Sequence, residues 1–255
     1  MTITLPGLSG VILVYLLVFA RTGAMVMLLP AIGDANVPGR VRLMLALAIS
    51  LALAPTVAST YPQQAPASAL ALGLLIAQEV TVGILIGTMA RIIMSSLSVA
   101  GFLIASQTGL SYAETLDPTS NGQQGAVIGN FFSLLGVVLI FATNLHHLAI
   151  GAVAGSYHLI PPGTGLPTGD MAQLTIKLVS GSFALGFQLA APFLVFGFAV
   201  NAAFGLLARM MPQLQVFFVA MPVNILVGFL LMVLLLGTMM TIFLEFYTSQ
   251  MGVFL

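Results

Sequence analysis

Ser106 to Gly125 (SQTGLSYAETLDPTSNGQQG) is a long polar insert in a chain that is otherwise almost pure membrane sequence, and it carries both Glu114 and Asp117. Only 5% of the residues are charged, so two carboxylates in one short stretch stand out as groups able to hold polar partners. Glycines at 101, 109, 122 and 125, together with Pro118, oppose a continuous helix. In a bilayer, non-helical backbone is tolerated only where protein buries it or where it lines a watery cavity. The insert is therefore either an exposed loop or an irregular element inside a pore, and its surroundings favour the pore.

Two further charges lie inside apolar runs. Arg21 stands about fourteen residues into the first run and Glu79 about eleven into the third. A charge at mid-bilayer costs about 2.5–3.5 kcal/mol on insertion scales, so each must face protein or water. An ion or proton pathway is one reading. A structural ion pair, or an interfacial position, is the plainer one and is preferred, because a relay normally offers more than two such residues.

His146 and His147 follow Asn144 near the end of the fourth run. Adjacent helical histidines diverge by about 100° and no cysteine or carboxylate lies within a turn to complete a metal site. A capping or interfacial role is expected, with no metal and no cofactor. No nucleophile–base set, zinc-protease motif or phosphate-binding glycine loop can be assembled, so no catalytic residue is assigned. The chain has no cysteine, and its six Lys+Arg balance six Asp+Glu, which excludes a nucleic-acid footprint.

With 60% hydrophobic residues over 255 positions, the elements that must position these groups are membrane helices. The fold class expected is an all-α polytopic membrane protein, a single membrane domain over 1–255. Six apolar runs are read at 8–30, 43–58, 69–94, 126–155, 173–208 and 216–246. The second is short for a span of about 20 residues. The fifth would reach about 54 Å as one straight helix, and Pro192 is expected to kink it. Residues 95–105 are read as a separate short helix leading into the insert. No Lys or Arg precedes Arg21, so the first run is expected to be retained rather than cleaved as a signal peptide. Arg40, Arg42, Arg91 and Arg209 fall on alternate connections and mark one membrane face as cytoplasmic. Lys177 votes the other way. Tyr61 and Tyr157 fall at the opposite ends of their runs, the position of interfacial aromatics. Three Gly-xxx-Gly pairs, Gly83/Gly87, Gly125/Gly129 and Gly151/Gly155, are candidate close helix contacts.

Four segments, in order, carry a family resemblance. Phe19-Ala20-Arg21 leads to Pro55 through the turn Val37 to Arg42. Gln107-Thr108-Gly109 leads to Asp117-Pro118. Phe141 to Pro161 contains the His pair and a Ser156-Tyr157…Pro161 close, with Leu145 where the family often has glycine. Asn201 to Gly228 is the most specific segment. Together these resemble the FliR-type subunit of the bacterial flagellar export gate, called the SctT type in injectisomes. The resemblance implies kinked helical hairpins in a helical hetero-oligomeric gate at the bacterial inner membrane, in the flagellar basal body. It implies FliP-type, FliQ-type and FlhB-type partner subunits and unfolded export substrates, in contact with membrane lipid and without nucleic acid. It also implies a FliP-like part over 1–172 and a FliQ-like helical hairpin over 173–255. The family's pore plug maps onto Gly109, Leu110, Ser111, Tyr112, Ala113, Glu114, Thr115, Leu116, Asp117 and Pro118, with Arg21 and Glu79 as buried structural charges. Two rivals were weighed against this reading. A secondary transporter would show symmetry between halves, which is absent from the sequence. A polytopic lipid enzyme would gather His146, His147 and Asp117 at one interface, whereas the topology separates them.

Overall fold

In an apolar solvent each backbone N–H and C=O must find its partner within the segment, so long Leu-, Ala-, Ile- and Val-rich runs can only be helices. The computed structural model describes residues 8–34, 36–61, 68–111, 126–210 and 216–254. Seven α-helices lie among the described residues: α1 Leu8–Leu28, α2 Gly39–Val57, α3 Ala69–Gln107, α4 Ala126–Ala142, α5 His146–Leu159, α6 Thr168–Met210 and α7 Val216–Met251. Short 3₁₀ turns follow α2 at Ala58–Thr60 and α7 at Gly252–Phe254. Five helices are long and apolar enough to cross a membrane, and α4 with α5 makes a sixth if that bent pair is one span. The protein is all-α and polytopic.

Two boundaries differ from the sequence reading. Residues 95–105 are not a separate helix, because α3 runs unbroken for 39 residues. Its serines are satisfied within the helical packing: Ser96 Oγ donates to the Ile93 carbonyl at 2.7 Å, and Ser98 shares a 3.0 Å hydrogen bond with Ser133. The fourth run is not one helix. It breaks between Ala142 and His146, where Asn144 takes φ 59°, a left-handed conformation that asparagine tolerates better than most residues. α6 continues through Pro192 as one helix of 43 residues.

The chain forms two compact units. The first comprises residues 1–92, 141–178 and 247–255, and the second comprises 93–140 and 179–246. In the first, α1 packs along α2, with the buried hydroxyls of Thr22 and Ser50 2.6 Å apart. α1 also lies against α3 so closely that a Cβ on Gly83 would strike the Arg21 carbonyl, and one on Gly87 would strike the Leu28 side chain. That Gly-xxx-Gly pair is therefore a close helix contact. The C-terminal 3₁₀ turn packs on α5, with Phe254 buried. In the second unit α4 packs along the C-terminal part of α3, with α6 and α7 against the same stretch.

Candidate functional site

Arg21 and Glu79 meet inside the first unit. Both side chains are fully buried. Arg21 Nε donates to Glu79 Oε2 at 2.7 Å, and one terminal nitrogen donates to Oε1 at 3.1 Å, a two-pronged pairing. Two further donors are used: Arg21 donates to Ser156 Oγ at 2.9 Å and to the Ile160 carbonyl at 3.2 Å. The guanidinium carbon lies 3.9 Å from the centre of the Tyr157 ring, a cation–π contact. One helix each from three parts of the sequence, α1, α3 and α5, thus converges on one charge pair.

Tyr61 closes this centre from the turn after α2. Its ring is tilted 55° against Tyr157, centroids 6.0 Å apart, and its hydroxyl lies 3.5 Å from that of Tyr157. Neither tyrosine is interfacial: Tyr61 is 5% exposed and Tyr157 fully buried. The sequence reading put them at a membrane surface because each ends an apolar run. The buried guanidinium gives them a polar partner indoors instead. Burial raises the Tyr61 phenol far above its ordinary range, so it stays a neutral hydroxyl. Next to Glu79, Gln78 pins the turn that follows α5: its Nε2 donates to the Pro161 carbonyl at 3.0 Å, and the Gly163 N–H donates to its Oε1 at 3.1 Å.

The second candidate site is the root of the polar insert, in the second unit. α3 ends at Gln107, and Gly109 follows with φ +77°, the left-handed turn that glycine adopts without strain. Thr108 between them is fully buried, and its hydroxyl donates back to the Ile104 carbonyl at 2.9 Å. Two glycines on other helices make room for this end. A Cβ on Gly197 of α6 would strike Gln107 Oε1, and one on Gly228 of α7 would strike Thr108 Cγ2. Farther down, α3 and α4 touch backbone to backbone, since a Cβ on Gly101 would overlap Gly129 Cα and N. Of the plug residues assigned from sequence, Gly109, Leu110 and Ser111 belong to this root. Tyr112, Ala113, Glu114, Thr115, Leu116, Asp117 and Pro118 lie outside the described residues.

The histidine pair opens α5. The His146 ring stacks on Phe141 at 4.9 Å across the break, and its Nδ1 is buried without a hydrogen-bond partner. The His146 and His147 rings are 4.2 Å apart. Among the described residues no three His, Asp or Glu side chains gather as a metal site.

The sequence reading missed Ser156 and Tyr157 as partners of the charge pair, Tyr61 and Gln78 as residues that close and brace its surroundings, and Gly197 and Gly228 as seats for Gln107 and Thr108. The Ser156-Tyr157…Pro161 signature held part of the first set in plain view. The second set had no local signal, because a glycine seat is defined by what another helix puts into it.

Taken together, the fold and its two centres define a polytopic membrane protein whose polar chemistry is turned inward to hold helices and a loop root in place. Residues 12–249 match the family described as bacterial export proteins, family 1, and the chain belongs to that family. It is 42% identical over 238 residues to the flagellar biosynthetic protein FliR of Caulobacter vibrioides, covering 93% of this chain and 94% of that one. Similarity to FliR of Escherichia coli is 31% over 217 residues, 85% of this chain and 81% of that one. The Yop proteins translocation protein T of Yersinia pestis is 28% identical over 235 residues, 90% of this chain and 88% of that one. The chain is thus a subunit of a type III protein export apparatus, a membrane component of the flagellar basal body at the bacterial inner membrane that associates with other subunits of that apparatus. The relatives named here are export components rather than known enzymes.

Proposed function

We propose that this chain forms part of the wall of the export gate and supplies its plug, the segment Gly109 to Pro118. The single observation that carries the reading is the root of that segment: a buried Thr108 and a left-handed Gly109, seated in spaces left by Gly197 and Gly228. A polar insert hung from a rigid, fully packed helix end can block a narrow bore and still rearrange. Leu110, Tyr112 and Leu116 supply bulk, Ser111 and Ala113 supply low barriers, and Glu114 and Asp117 hold polar partners in the shut state. The chain works by steric blocking and without catalysis. Its gate partners are FliP-type and FliQ-type subunits, with an FlhB-type subunit at the closed end. Residues 1–172 correspond to a FliP-like part and 173–255 to a FliQ-like hairpin, a division by resemblance that differs from the two compact units.

Deleting residues 110–116 tests the plug. Ion leakage through the assembled gate, read as membrane depolarisation in cells, is expected to rise sharply. Unchanged leakage in a gate that still assembles would end the proposal. Stable co-purification of the full chain with FliP-type and FliQ-type subunits tests the partners.

The glycine seats give a graded version of the same experiment. At Gly197 an added methyl meets the far end of a flexible glutamine, which can swing aside. At Gly228 it meets the branched side chain of a buried threonine, which has few rotamers to escape into. Gly228→Ala is therefore expected to leak measurably more than Gly197→Ala. Equal leakage from the two would show that the seats do not hold the plug.

A further inference from the structure

Gln188 stands in the middle of α6, on the side that the chain leaves bare. α6 meets α3 through two glycines: a Cβ on Gly186 would strike Val99, and one on Gly197 would strike Gln107. At about 100° per residue, Gln188 lies about 160–180° round the helix from both. It is exposed, and its side chain makes no hydrogen bond among the described residues. Pro192 lies one turn further along the same helix and is exposed too. Proline has no N–H, so the Gln188 carbonyl lacks the donor that a helix normally supplies one turn on. One residue thus presents an unpartnered side-chain amide and a main-chain oxygen deprived of its regular donor.

Such a residue is costly in lipid, where no solvent replaces a missing hydrogen bond, and α6 carries it deep. The charged or amide side chains nearest to it along the helix are Lys177 and Asn201, both exposed. They are 24 positions apart, about 36 Å of helix, against a hydrocarbon core of about 30 Å. Gln188 lies 11 positions after the first and 13 before the second, close to the midplane of that stretch.

The neighbours of Gln188 on this face identify what covers it. Ala184, Ala191, Ala199 and Ala202 stand along it with Val195, all exposed. The wall of a watery passage would repeat polar groups along the helix, and between Lys177 and Asn201 this face has Gln188 alone. Lipid chains offer no hydrogen-bond donor. Small side chains let the backbone of a second helix come close, and polar side chains then bond across the contact. Neighbouring helices are also what satisfies a main-chain group freed by proline inside a membrane.

We propose that the Gln188 face of α6 seats a membrane helix from another subunit of the export apparatus, and that this helix brings a Ser, Thr, Asn or Gln donor to Gln188. The alanines set how closely the helix approaches, and Gln188 sets its depth. The inference rests on the chain being one subunit of an apparatus. It does not rest on the plug, so leakage after deletion of residues 110–116 neither supports nor weakens it.

The test places a photo-crosslinking amino acid at position 188 of the full chain in its membrane complex and identifies the adduct by mass spectrometry. The expected adduct is a residue in an apolar helix of another subunit. No adduct, or adducts only with lipid, with this chain or with the exported polypeptide, would overturn the proposal; the last would make the face a wall of the conduit. Two variants then measure how much of the crosslinked subunit co-purifies in detergent. Gln188→Leu removes the hydrogen bonds at similar size and is expected to lower retention about threefold to tenfold. Ala191→Phe blocks the close approach and is expected to lower it at least as much. Both positions are exposed in this chain, so its own fold is expected to survive. Gln188→Leu keeps the measurement informative if Ala191→Phe does not fold. Full retention in every variant that folds would overturn the seat.

Discussion

Arg21→Ala is expected to destabilise the folded chain by about 3–5 kcal/mol, a large share of the about 5–15 kcal/mol that holds a typical domain together. The cost comes less from the lost pair than from what remains. Glu79 would be left fully buried without the guanidinium from which both its oxygens accept, and Ser156 Oγ and the Ile160 carbonyl would lose their Arg21 donor. Little of the variant should accumulate in the membrane, and its thermal unfolding in detergent should fall well below that of the parent. Glu79→Gln should be milder, since an amide can still accept from the guanidinium. Removing both charges together separates the causes. Arg21→Met/Glu79→Leu deletes the stranded carboxylate as well as its partner, and replacing a buried pair with apolar side chains is often neutral. It is therefore expected to recover most of the stability lost in Arg21→Ala. A double variant as unstable as the single one would place the cost in packing around Tyr157 instead. If the double variant folds, assembles and still supports motility, the pair holds helices and does nothing more. If it folds and assembles but abolishes export, the pair takes part in transport.

Much of this architecture can be read in the residues, and the failures have physical causes. Arg21 and Glu79 were marked by the energetic cost of a charge among apolar neighbours, a signal that needs no partner to be visible. That they choose each other, and that Tyr157 and Tyr61 close around them, depends on α1, α3 and α5 meeting across 135 residues of chain. Periodicity carries no such information. The helix break at Asn144 was hidden because hydropathy stays high on both sides, while the decisive event is one residue turning left-handed. Conversely, residues 95–105 were read as a separate short helix, yet α3 runs through them unbroken, and Ser96 and Ser98 find hydrogen bonds without leaving the helix. The root of the insert was legible as Gln107-Thr108-Gly109 through the family resemblance. Its seats were not, because Gly197 and Gly228 are ordinary members of glycine-rich helices until the partner helix is in place.

Gly101→Val should be the most damaging substitution of a glycine in the second unit. A Cβ at this position overlaps main-chain atoms of Gly129 and of Ile128 rather than a movable side chain, so no rotamer change relieves it. α3 and α4 would have to separate. Separation would strip contacts from Phe132, which is fully buried, and pull apart the Ser98–Ser133 hydrogen bond. Overpacking a well-filled core costs about 1–3 kcal/mol and sometimes more, and a backbone collision belongs at or above the top of that range. The variant is expected to unfold at lower temperature in detergent and to reach the membrane in reduced amount. Gly73→Ala on the same α3 provides the contrast. A Cβ there meets nothing within 4 Å, and alanine is a better helix former than glycine by about 1 kcal/mol, so that change should be neutral or slightly stabilising. The pair of measurements isolates close approach from helix propensity. If both substitutions shift the unfolding temperature alike, α3 and α4 do not cross backbone to backbone at Gly101. If only Gly101→Val falls, the crossing that carries α3 to the root of the insert is confirmed as the tightest contact tested in this unit.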